Sequence, residues 1–410
     1  MKKLRILLIA WSVPYPTNVG GRQRTNLLHR ALSELGDVDL ISLNDPSRYS
    51  EEQLGVMRKE FGLIAMEPIT LAGKQGFWRH FYRLSPKWVN RIAHNWNGSK
   101  SLYQRDHGLL QRLGDKLDLD QYDLVVGRYA KSLAKLGLPD GETPTLLDVD
   151  DLDSDAYQSR IDQPGQSFLV RMLLRRHLLN IRGAQFSFLK RVKHLWVANP
   201  ENLEHAELKD SELLQNIPFV ATDEPINEAP VGDESFSAMT IASYNHRPNV
   251  EGVDWFLQKV WPVVLQQQPK AVFNIYGSQM SDGLRARWAS HPGVNAIGFV
   301  EYVADAYRES ALAVCPVLSG AGTNIKVLEA GMHNRMCVVT RVASRGFAAL
   351  GEYLSVCDDA HGMAEAIVSL LSDRERNRAQ AEGFSEAVKQ SYSYKHFSNV
   401  VKDSVEAALR

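Results

Sequence analysis

Residues 316–346 read PVLSGAGTNIKVLEAGMHNRMCVVTRVASRG, and the predicted architecture is organised around this stretch. The small and apolar residues at 311–315 lead into it and are typical of a buried strand. In the turn that follows, Gly320 and Gly322 can adopt backbone angles that other residues avoid, and they leave their amide groups uncovered. The pattern predicts a strand, a glycine turn, a helix and a second strand at 336–340, an arrangement that can hold a diphosphate at the helix start.

The helix in this stretch is predicted to use Thr323 or Asn324 as its N-cap. Lys326 and Glu329 are three residues apart and share one face, where the lysine can balance an anion and the glutamate can accept hydrogen bonds from sugar hydroxyls. Asn334 stands where a helix usually needs a left-handed residue after its last turn. Glycine turns of this kind also occur without a ligand, so the pattern alone leaves a purely structural turn open.

Residues 320–330, Gly-Ala-Gly-Thr-Asn-Ile-Lys-Val-Leu-Glu-Ala, resemble the donor-nucleotide signature of retaining glycosyltransferases of family 4, which have the GT-B fold. The resemblance implies that Glu329 binds the ribose of a nucleotide sugar. It also implies that the diphosphate lies against the turn formed by Gly320, Gly322, Thr323 and Asn324. The family usually has a second glutamate eight residues before Glu329, and here that position is Ala321, as in a glycine-rich branch without it.

The composition is that of a globular protein of 410 residues, long enough for two domains. The net charge of −1 excludes a global field that would favour nucleic acid. The three cysteines fall in apparent strands without metal-ligand spacing, which is typical of buried reduced thiols. Because no segment approaches the ~20 apolar residues of a membrane span, the apolar start of the chain is interpreted as a first strand.

That first strand is predicted at 5–11, followed by a loop at 12–21 and a helix that begins at Gly21 or Arg22. In open α/β sheets, ligands bind at the carboxyl ends of such strands. The pair Gly20-Gly21 resembles the glycosyltransferase loop that lies against the donor diphosphate from the opposite domain, and Arg24 could reach the same anion. Alternatively, the glycines only permit a tight turn and Arg24 is a solvated surface charge.

Two further strands, predicted at 122–127 and 145–149, each end in polar residues. The second delivers a group of carboxylates that could hold sugar hydroxyls, an acceptor or a divalent metal. The group resembles the aspartate-bearing loop of family 4 enzymes, which generally work without a metal, and this places Asp151 among the catalytic candidates. A structural role, with Asp151 or Asp153 as a helix cap, remains open. The four carboxylates are Asp148, Asp150, Asp151 and Asp153.

Two runs in the first half, 68–105 and 163–200, contain no acidic residue and mix basic with aromatic or apolar residues. This composition is expected of a segment that lies on an anionic membrane or grips a lipid-linked substrate. The alternative is an aromatic core under a solvated charged face. The candidates for membrane or acceptor contact are Trp78, Arg79, Arg83, Lys87 and Trp88.

An acidic, proline-containing segment at 221–235 is predicted to link two domains. The predicted division is an acceptor-side Rossmann-like domain at 1–215, a nucleotide-sugar-binding Rossmann-like domain at 222–385, and a C-terminal helix at 386–410 that returns to the first domain. In the second domain, the sequence from 243 resembles the family, with Arg247 as a candidate phosphate ligand and Gly298 where such enzymes contact the nucleobase.

The fold class expected from these patterns is α/β: two facing, doubly wound domains of the GT-B type. The resemblance implies a cytoplasmic retaining hexosyltransferase that uses a UDP- or GDP-linked sugar. Its acceptor would be a glycan or a lipid-linked glycan in surface polysaccharide or lipopolysaccharide synthesis, with peripheral membrane contact. Neither a metal nor another cofactor is expected. A non-catalytic nucleotide-sugar-binding or scaffold protein, or a GT-B epimerase, remains an alternative. The catalytic candidates are Lys326, Arg247 and Asp151.

Overall fold

The chain forms two compact units, Met1–Gln215 with Phe397–Arg410, and Asn216–His396. They are seen in a computed structural model that describes residues 3–17, 20–69, 102–139, 141–162, 168–205, 207–208, 210–219, 236–320, 322–357 and 359–410. The predicted linker at 221–235 and the position of Ala321 lie outside the described residues. The predicted membrane or acceptor contacts Trp78, Arg79, Arg83, Lys87 and Trp88 also lie outside them.

The first unit is built on a parallel sheet whose central strands are apolar on both faces. Its strands are β1 (Leu4–Ala10), β2 (Gly36–Ser42), β3 (Leu63–Met66), β4 (Leu124–Arg128), β5 (Thr145–Asp150), β6 (His194–Val197) and β7 (Glu212–Leu213). They lie in the order β3-β2-β1-β4-β5-β6-β7. Ile9 of β1 lies opposite Ile41 on one side and Gly127 on the other, and all five residues from Ile6 to Ala10 are fully buried. The strand order reverses between β1 and β4, and such a switch point is where open α/β sheets bind ligands.

Helices connect the strands of the first unit. They are α1 (Gly20–Ser33), α2 (Glu51–Glu60), α3 (His107–Leu113), α4 (Ala130–Leu136), α5 (Asp153–Ile161) and α6 (Phe168–Leu189). Helix α2 begins with a capping box, in which Ser50 and Gln53 each bond the other's backbone. Helix α1 begins at Gly20, so the two glycines are helical residues, one position earlier than the start predicted from the sequence.

The second unit repeats this plan with six parallel strands. They are β8 (Ser237–Ser243), β9 (Val272–Ser278), β10 (Val294–Gly298), β11 (Leu312–Cys315), β12 (Cys337–Thr340) and β13 (Ser355–Cys357). Their order is β10-β9-β8-β11-β12-β13, so the switch point lies between β8 and β11. Gly277 in β9 has a φ of 138°, and a Cβ there would lie 1.8 Å from the carbonyl oxygen of Ala242, so close pairing of these two strands requires a glycine. As predicted, the three cysteines fall in β11, β12 and β13.

The helices of the second unit begin with α7 (Arg247–Trp255), which continues through a π-helical turn, Phe256–Val260. The others are α8 (Trp261–Gln267), α9 (Asp282–Ala289), α10 (Val303–Arg308), α11 (Ile325–Met332), α12 (Ala360–Ser372) and α13 (Arg374–Ser391). Within the described part of the chain, no helix has the length and apolar character needed to cross a bilayer.

The last helix, α14 (Tyr394–Ala408), belongs to the first unit from Phe397 onward. Its Ser404 hydroxyl accepts a hydrogen bond of 2.8 Å from the indole nitrogen of Trp196 in β6. The boundary expected at residue 385 falls inside α13, so the returning segment begins later than predicted. The predicted fold class, two doubly wound parallel units with a terminal helix returning to the first, is confirmed.

Candidate functional site

The switch point of the second sheet brings together the residues that follow β8 and β11. Lys326, in the first turn of α11, donates from its Nζ to the Oδ1 of Asn249 in α7 at 3.0 Å. The amide of Asn249 in turn donates to the carbonyl oxygen of Ser243 at the end of β8, also at 3.0 Å. A chain of hydrogen bonds therefore fixes the lysine ammonium group at the edge where ligands bind in sheets of this order.

Helix α7 approaches this site closely because residue 252 is a glycine. A Cβ at that position would lie 2.5 Å from the carbonyl oxygen of Pro316, which follows β11. Because glycine has no Cβ, the helix can pack directly on the backbone of the turn. Neither Gly252 nor Asn249 was predicted as a site residue, although the polar segment at 243–249 could have indicated Asn249.

The turn before α11 has the conformation that its glycines suggested. Gly320 has a φ of 140°, which only glycine adopts without strain, and Asn334 has a φ of 54° after the helix, as predicted. The predicted side-chain cap is wrong, however. Asn324 occupies the N-cap position with a ψ of 86° and forms no cap hydrogen bond, and the hydroxyl of Thr323 instead accepts from the amide of Asn216 at 2.7 Å.

The start of α11 is therefore suited to an anion. Asn324 forms no side-chain cap hydrogen bond, so it leaves the first amide groups of the helix uncapped. The positive end of the helix dipole and the ammonium group of Lys326 both attract an anion to this point. Gly322 lies in the same turn and is partly buried.

Glu329 lies one turn beyond Lys326 in α11. Burial raises the pKa of its carboxyl group to about 7, and the positive charge of Lys326 opposes part of that rise. Tyr307 of α10 supports the same turn, because its hydroxyl donates to the carbonyl oxygen of Lys326 at 3.2 Å. A carboxyl group that titrates near neutrality can accept hydrogen bonds from a ligand once it is ionised.

The other candidates in this unit lie at the same edge but are held differently. Arg247, the first residue of α7, has a side chain that is 76 % exposed and pairs with Glu251 one turn later. Such an exposed ion pair contributes little to stability, so Arg247 can leave Glu251 and bind another anion. Gly298 ends β10 with a φ of 89°, and β10 lies two strands from β8, roughly 10 Å along the edge. Phe299 follows it with 70 % of its surface exposed.

In the first unit, the predicted anion ligand Arg24 has a different role. Its side chain is 2 % exposed and forms two hydrogen bonds to Asp148, Nε to Oδ2 at 2.9 Å and Nη2 to Oδ1 at 2.8 Å, with a third to the carbonyl of Leu214 at 2.9 Å. Arg128, fully buried, donates to Asp150 at 2.7 Å. The prediction that Arg24 binds the donor diphosphate is therefore corrected. Arg24 is one of the two cations that balance the buried carboxylates of Asp148 and Asp150.

The four predicted carboxylates do not act as one group. Asp148 and Asp150 are paired with the two buried arginines, whereas Asp153 accepts from Lys131 at 2.8 Å and from the hydroxyl of Tyr103 at 2.6 Å. The capping role considered for Asp151 or Asp153 is wrong, because Leu152 is the N-cap of α5. Among the described residues, no cluster of three or more His, Cys, Asp or Glu side chains is placed to hold a metal ion.

Asp151 differs from the other three carboxylates. Its Oδ1 is buried and has no hydrogen-bond partner among the described residues. Burial first, and then the charge of Asp150, raise the pKa of its carboxyl group to about 8. Asp151 is therefore mainly protonated at neutral pH and can donate a proton or a hydrogen bond to a group that approaches it.

A cavity of about 390 Å³ lies at the switch point of the first sheet. The guanidinium group of Arg22 lies 5.6 Å from the ring centre of Tyr49, and the ammonium group of Lys131 lies 5.5 Å from that of Trp11. The cavity thus offers aromatic surfaces and two cations, and its described lining contains no carboxylate. Its lining residues are Trp11, Ser12, Val13, Arg22, Asn44, Tyr49, Tyr129 and Lys131.

Tyr129 connects this cavity with the start of α1. Its φ of 68° is unusual for a residue other than glycine, and strained residues of this kind concentrate at functional sites. A Cβ at Gly21 would lie 2.9 Å from the Tyr129 hydroxyl, so the glycine lets the tyrosine reach the first turn of the helix. Gly21 therefore lies beside Tyr129, which lines the cavity, and Gly20 precedes it in the first turn of α1.

Comparison with known proteins adds to this geometry. Residues 236–373, within the second unit, match the family model described as glycosyl transferases group 1. An uncharacterised 44.6 kDa protein in the cps region of Klebsiella pneumoniae is 24 % identical over 417 residues, which cover 98 % of this chain and all of that protein.

Solved structures resemble the whole chain in fold. Sucrose-phosphate synthase from Thermosynechococcus elongatus has a TM-score of 0.62 at 14 % identity, with 99 % of each chain covered. Anabaena HepE in complex with UDP has a TM-score of 0.61 at 11 % identity, with 98 % of this chain and 100 % of that chain covered. These likenesses confirm the predicted GT-B fold class, and the family match indicates a glycosyl transferases group 1 region at residues 236–373.

Proposed function

We propose that the chain is a retaining hexosyltransferase that transfers a sugar from a UDP- or GDP-linked donor to a glycan or lipid-linked acceptor. The observation that carries the proposal is the contact between Lys326 and Asn249 at the switch point of the second sheet. It lies inside the region that matches group 1 glycosyl transferases. The complex of the similarly folded HepE with UDP favours a uridine nucleotide.

In this proposal the donor diphosphate lies against the turn from Gly320 to the start of α11. Negative charge accumulates on the diphosphate as the bond to the sugar breaks. Hydrogen-bond donors of the protein that are already fixed in place therefore stabilise the transition state more than the ground state. Lys326 is such a donor because Asn249 holds it. Arg247 can leave its exposed partner and join the same anion.

Glu329 binds the ribose hydroxyls in its ionised form, and the backbone around Gly298 contacts the nucleobase. The exposed ring of Phe299 offers a surface on which a base can stack. Positive charge for the leaving group comes from Lys326 and the helix start, so the proposed reaction needs no metal ion. Activity that is unchanged by a chelator is the expected result, and loss of activity restored by a divalent ion would contradict this part.

The acceptor is proposed to enter the cavity of the first unit. Trp11 and Tyr49 offer faces for the apolar side of a sugar ring, and Arg22 and Lys131 supply cations. Asp151, held protonated at neutral pH, is the candidate to contact an acceptor hydroxyl. The relative from the cps region favours a role on the cytoplasmic side of the membrane in the synthesis of capsular or another surface polysaccharide, including lipopolysaccharide.

The test is a transfer assay with a panel of UDP- and GDP-sugars and lipid-linked or free glycan acceptors. Lys326→Ala and Glu329→Ala should each reduce transfer at least tenfold, which corresponds to ~1.4 kcal/mol of transition-state stabilisation. Lys259→Ala is the matched control, because this exposed lysine lies in the π-helical turn and not in α11. Full activity of both variants would refute the site. Donor binding without transfer or hydrolysis would favour a scaffold, and conversion of the donor without an acceptor would favour an epimerase.

A further inference from the structure

The outer face of α6 combines large apolar side chains with arginines. Phe168, Met172 and Leu179 are 80 %, 50 % and 71 % exposed. At 100° per residue, these three positions fall within about 40° of one another around the helix axis. These residues form an apolar strip about 16 Å long on the exposed side of the helix. The exposed side of a helix is normally polar, so this strip is unusual.

Arginines border the strip on both sides. Arg175 and Arg182 lie on one side of it and Arg176 on the other, and all three are exposed. The 22 residues of α6 include no aspartate or glutamate. Exposed arginines therefore flank the apolar strip along its length.

The opposite face of α6 fixes the orientation of the helix. Ile181 is fully buried, and Gln185 accepts a hydrogen bond of 3.1 Å from the backbone amide of Ser154 at the start of α5. The ring of His177 packs edge-on against Tyr157, with 4.6 Å between ring centres. Since these contacts hold the inner face, Phe168 and Leu179 cannot rotate into the core of the unit.

We propose that this face of α6 docks on an anionic lipid bilayer. An apolar strip enters the boundary between headgroups and acyl chains, and arginines beside it extend toward anionic headgroups while their stems cover apolar surface. Each well-placed arginine strengthens binding to such a surface about fivefold.

The proposal is independent of the sugar-transfer reaction and of the contacts predicted around Trp78. It adds to the proposed function because a cytoplasmic enzyme that docks in this way meets acceptors anchored in the bilayer. Failure of membrane docking would leave transfer to a soluble acceptor intact, so the two proposals can fail separately.

The test is co-sedimentation of the full chain with vesicles of phosphatidylcholine, with and without phosphatidylglycerol. We expect binding that requires phosphatidylglycerol and weakens as salt is raised. Replacing Arg175 and Arg182 with Glu should weaken binding at least twentyfold, and the double variant Phe168→Ser, Leu179→Ser at least tenfold. Matched controls are Arg58→Glu, on the exposed side of α2, and Leu409→Ser, after the last helix; both should bind as the unchanged chain does.

Three results would overturn the proposal. The first is that the unchanged chain fails to bind anionic vesicles at low salt. The second is that the α6 variants bind as well as the controls. The third is that the α6 variants abolish a self-association seen by analytical ultracentrifugation while vesicle binding persists, which would assign the face to a second copy of the chain. Circular dichroism and donor binding confirm that each variant is folded.

Discussion

Donor affinity should depend on pH through one carboxyl group, Glu329. Its pKa in the folded chain is raised to about 7, mainly by burial. Ribose hydroxyls donate hydrogen bonds to the ionised carboxylate, so a nucleotide sugar should bind the deprotonated form. Below pH 7 the site must release a proton before it can bind, and this weakens the apparent affinity.

The size of the effect follows from the fraction of chains in the competent form. At pH 6 about one chain in eleven is ionised at Glu329, whereas at pH 8 about ten in eleven are ionised. Affinity should therefore be about tenfold weaker at pH 6, which equals ~1.4 kcal/mol. At pH 7 binding should release about half a proton.

The assay is isothermal titration calorimetry with the nucleotide sugar that binds, at pH 6 and pH 8. Proton release is measured at pH 7 from two buffers of different ionisation enthalpy. A nucleotide sugar is preferred to a free nucleotide because a terminal phosphate itself titrates near pH 6. Glu329→Gln should bind more weakly at pH 8 and lose most of the pH dependence.

Glu309→Gln is the control, because Glu309 lies near the amino end of β8, where its carbonyl accepts from Ser237. It should keep the pH dependence of the unchanged chain. His333 does not confuse the measurement, since burial lowers its pKa to about 4. Affinity that is equal at pH 6 and pH 8, or proton uptake on binding, would refute the role given to Glu329.

Three further predictions concern stability, measured by urea unfolding. The pKa of Asp151 rises from 3.8 to about 8 on folding, so the unfolded chain loses this proton at a lower pH than the folded chain does. The free energy of unfolding should therefore fall as the pH rises from 4 to 8. Asp151→Asn should stabilise the protein by roughly 2–4 kcal/mol at pH 7 and flatten the pH profile; an unchanged profile would contradict this. Arg24→Met leaves Asp148 with one cation fewer and should cost about 3–5 kcal/mol, whereas a loss below about 1 kcal/mol would show that the pair is dispensable. Gly252→Ala should cost about 1–3 kcal/mol and weaken donor binding, because the added methyl group meets backbone at 2.5 Å. Gly55→Ala, with open space around it, should instead stabilise by about 0.5–1 kcal/mol, and equal effects of the two changes would count against the packing argument.

Much of the fold was predictable because parallel strands are buried on both faces. Runs such as residues 6–10 of β1 are apolar throughout, and the alternation of such runs with helices predicts a doubly wound sheet in each unit. The backbone conformations at Gly320 and Asn334 were also predictable, since few residues tolerate positive φ. Helix α13 was missed because its sequence is rich in charge and carries few apolar residues to mark a buried face.

The pairings inside the site could not be read from local patterns. Arg24 and Asp148 are 124 positions apart, and Lys326 and Asn249 are 77 apart. Lys326 and Asn249 meet because β8 and β11 are neighbours at a switch point, whereas Arg24 follows β1 and Asp148 lies in β5, with β4 between these two strands. Both pairings depend on the strand order. The raised pKa values of Glu329 and Asp151 depend in the same way on how deeply each carboxyl group is buried.

The turn before α11 is proposed to bind the diphosphate of a nucleotide, with Lys326 as its cation. The most direct measurement is the Kd of UDP and of GDP for the unchanged chain, Lys326→Ala and Lys259→Ala at one pH and salt concentration. We predict that one nucleotide binds clearly, that Lys326→Ala weakens its binding at least tenfold, and that Lys259→Ala leaves it unchanged. Binding of neither nucleotide, or equal affinity in Lys326→Ala and the unchanged chain, would contradict the claim.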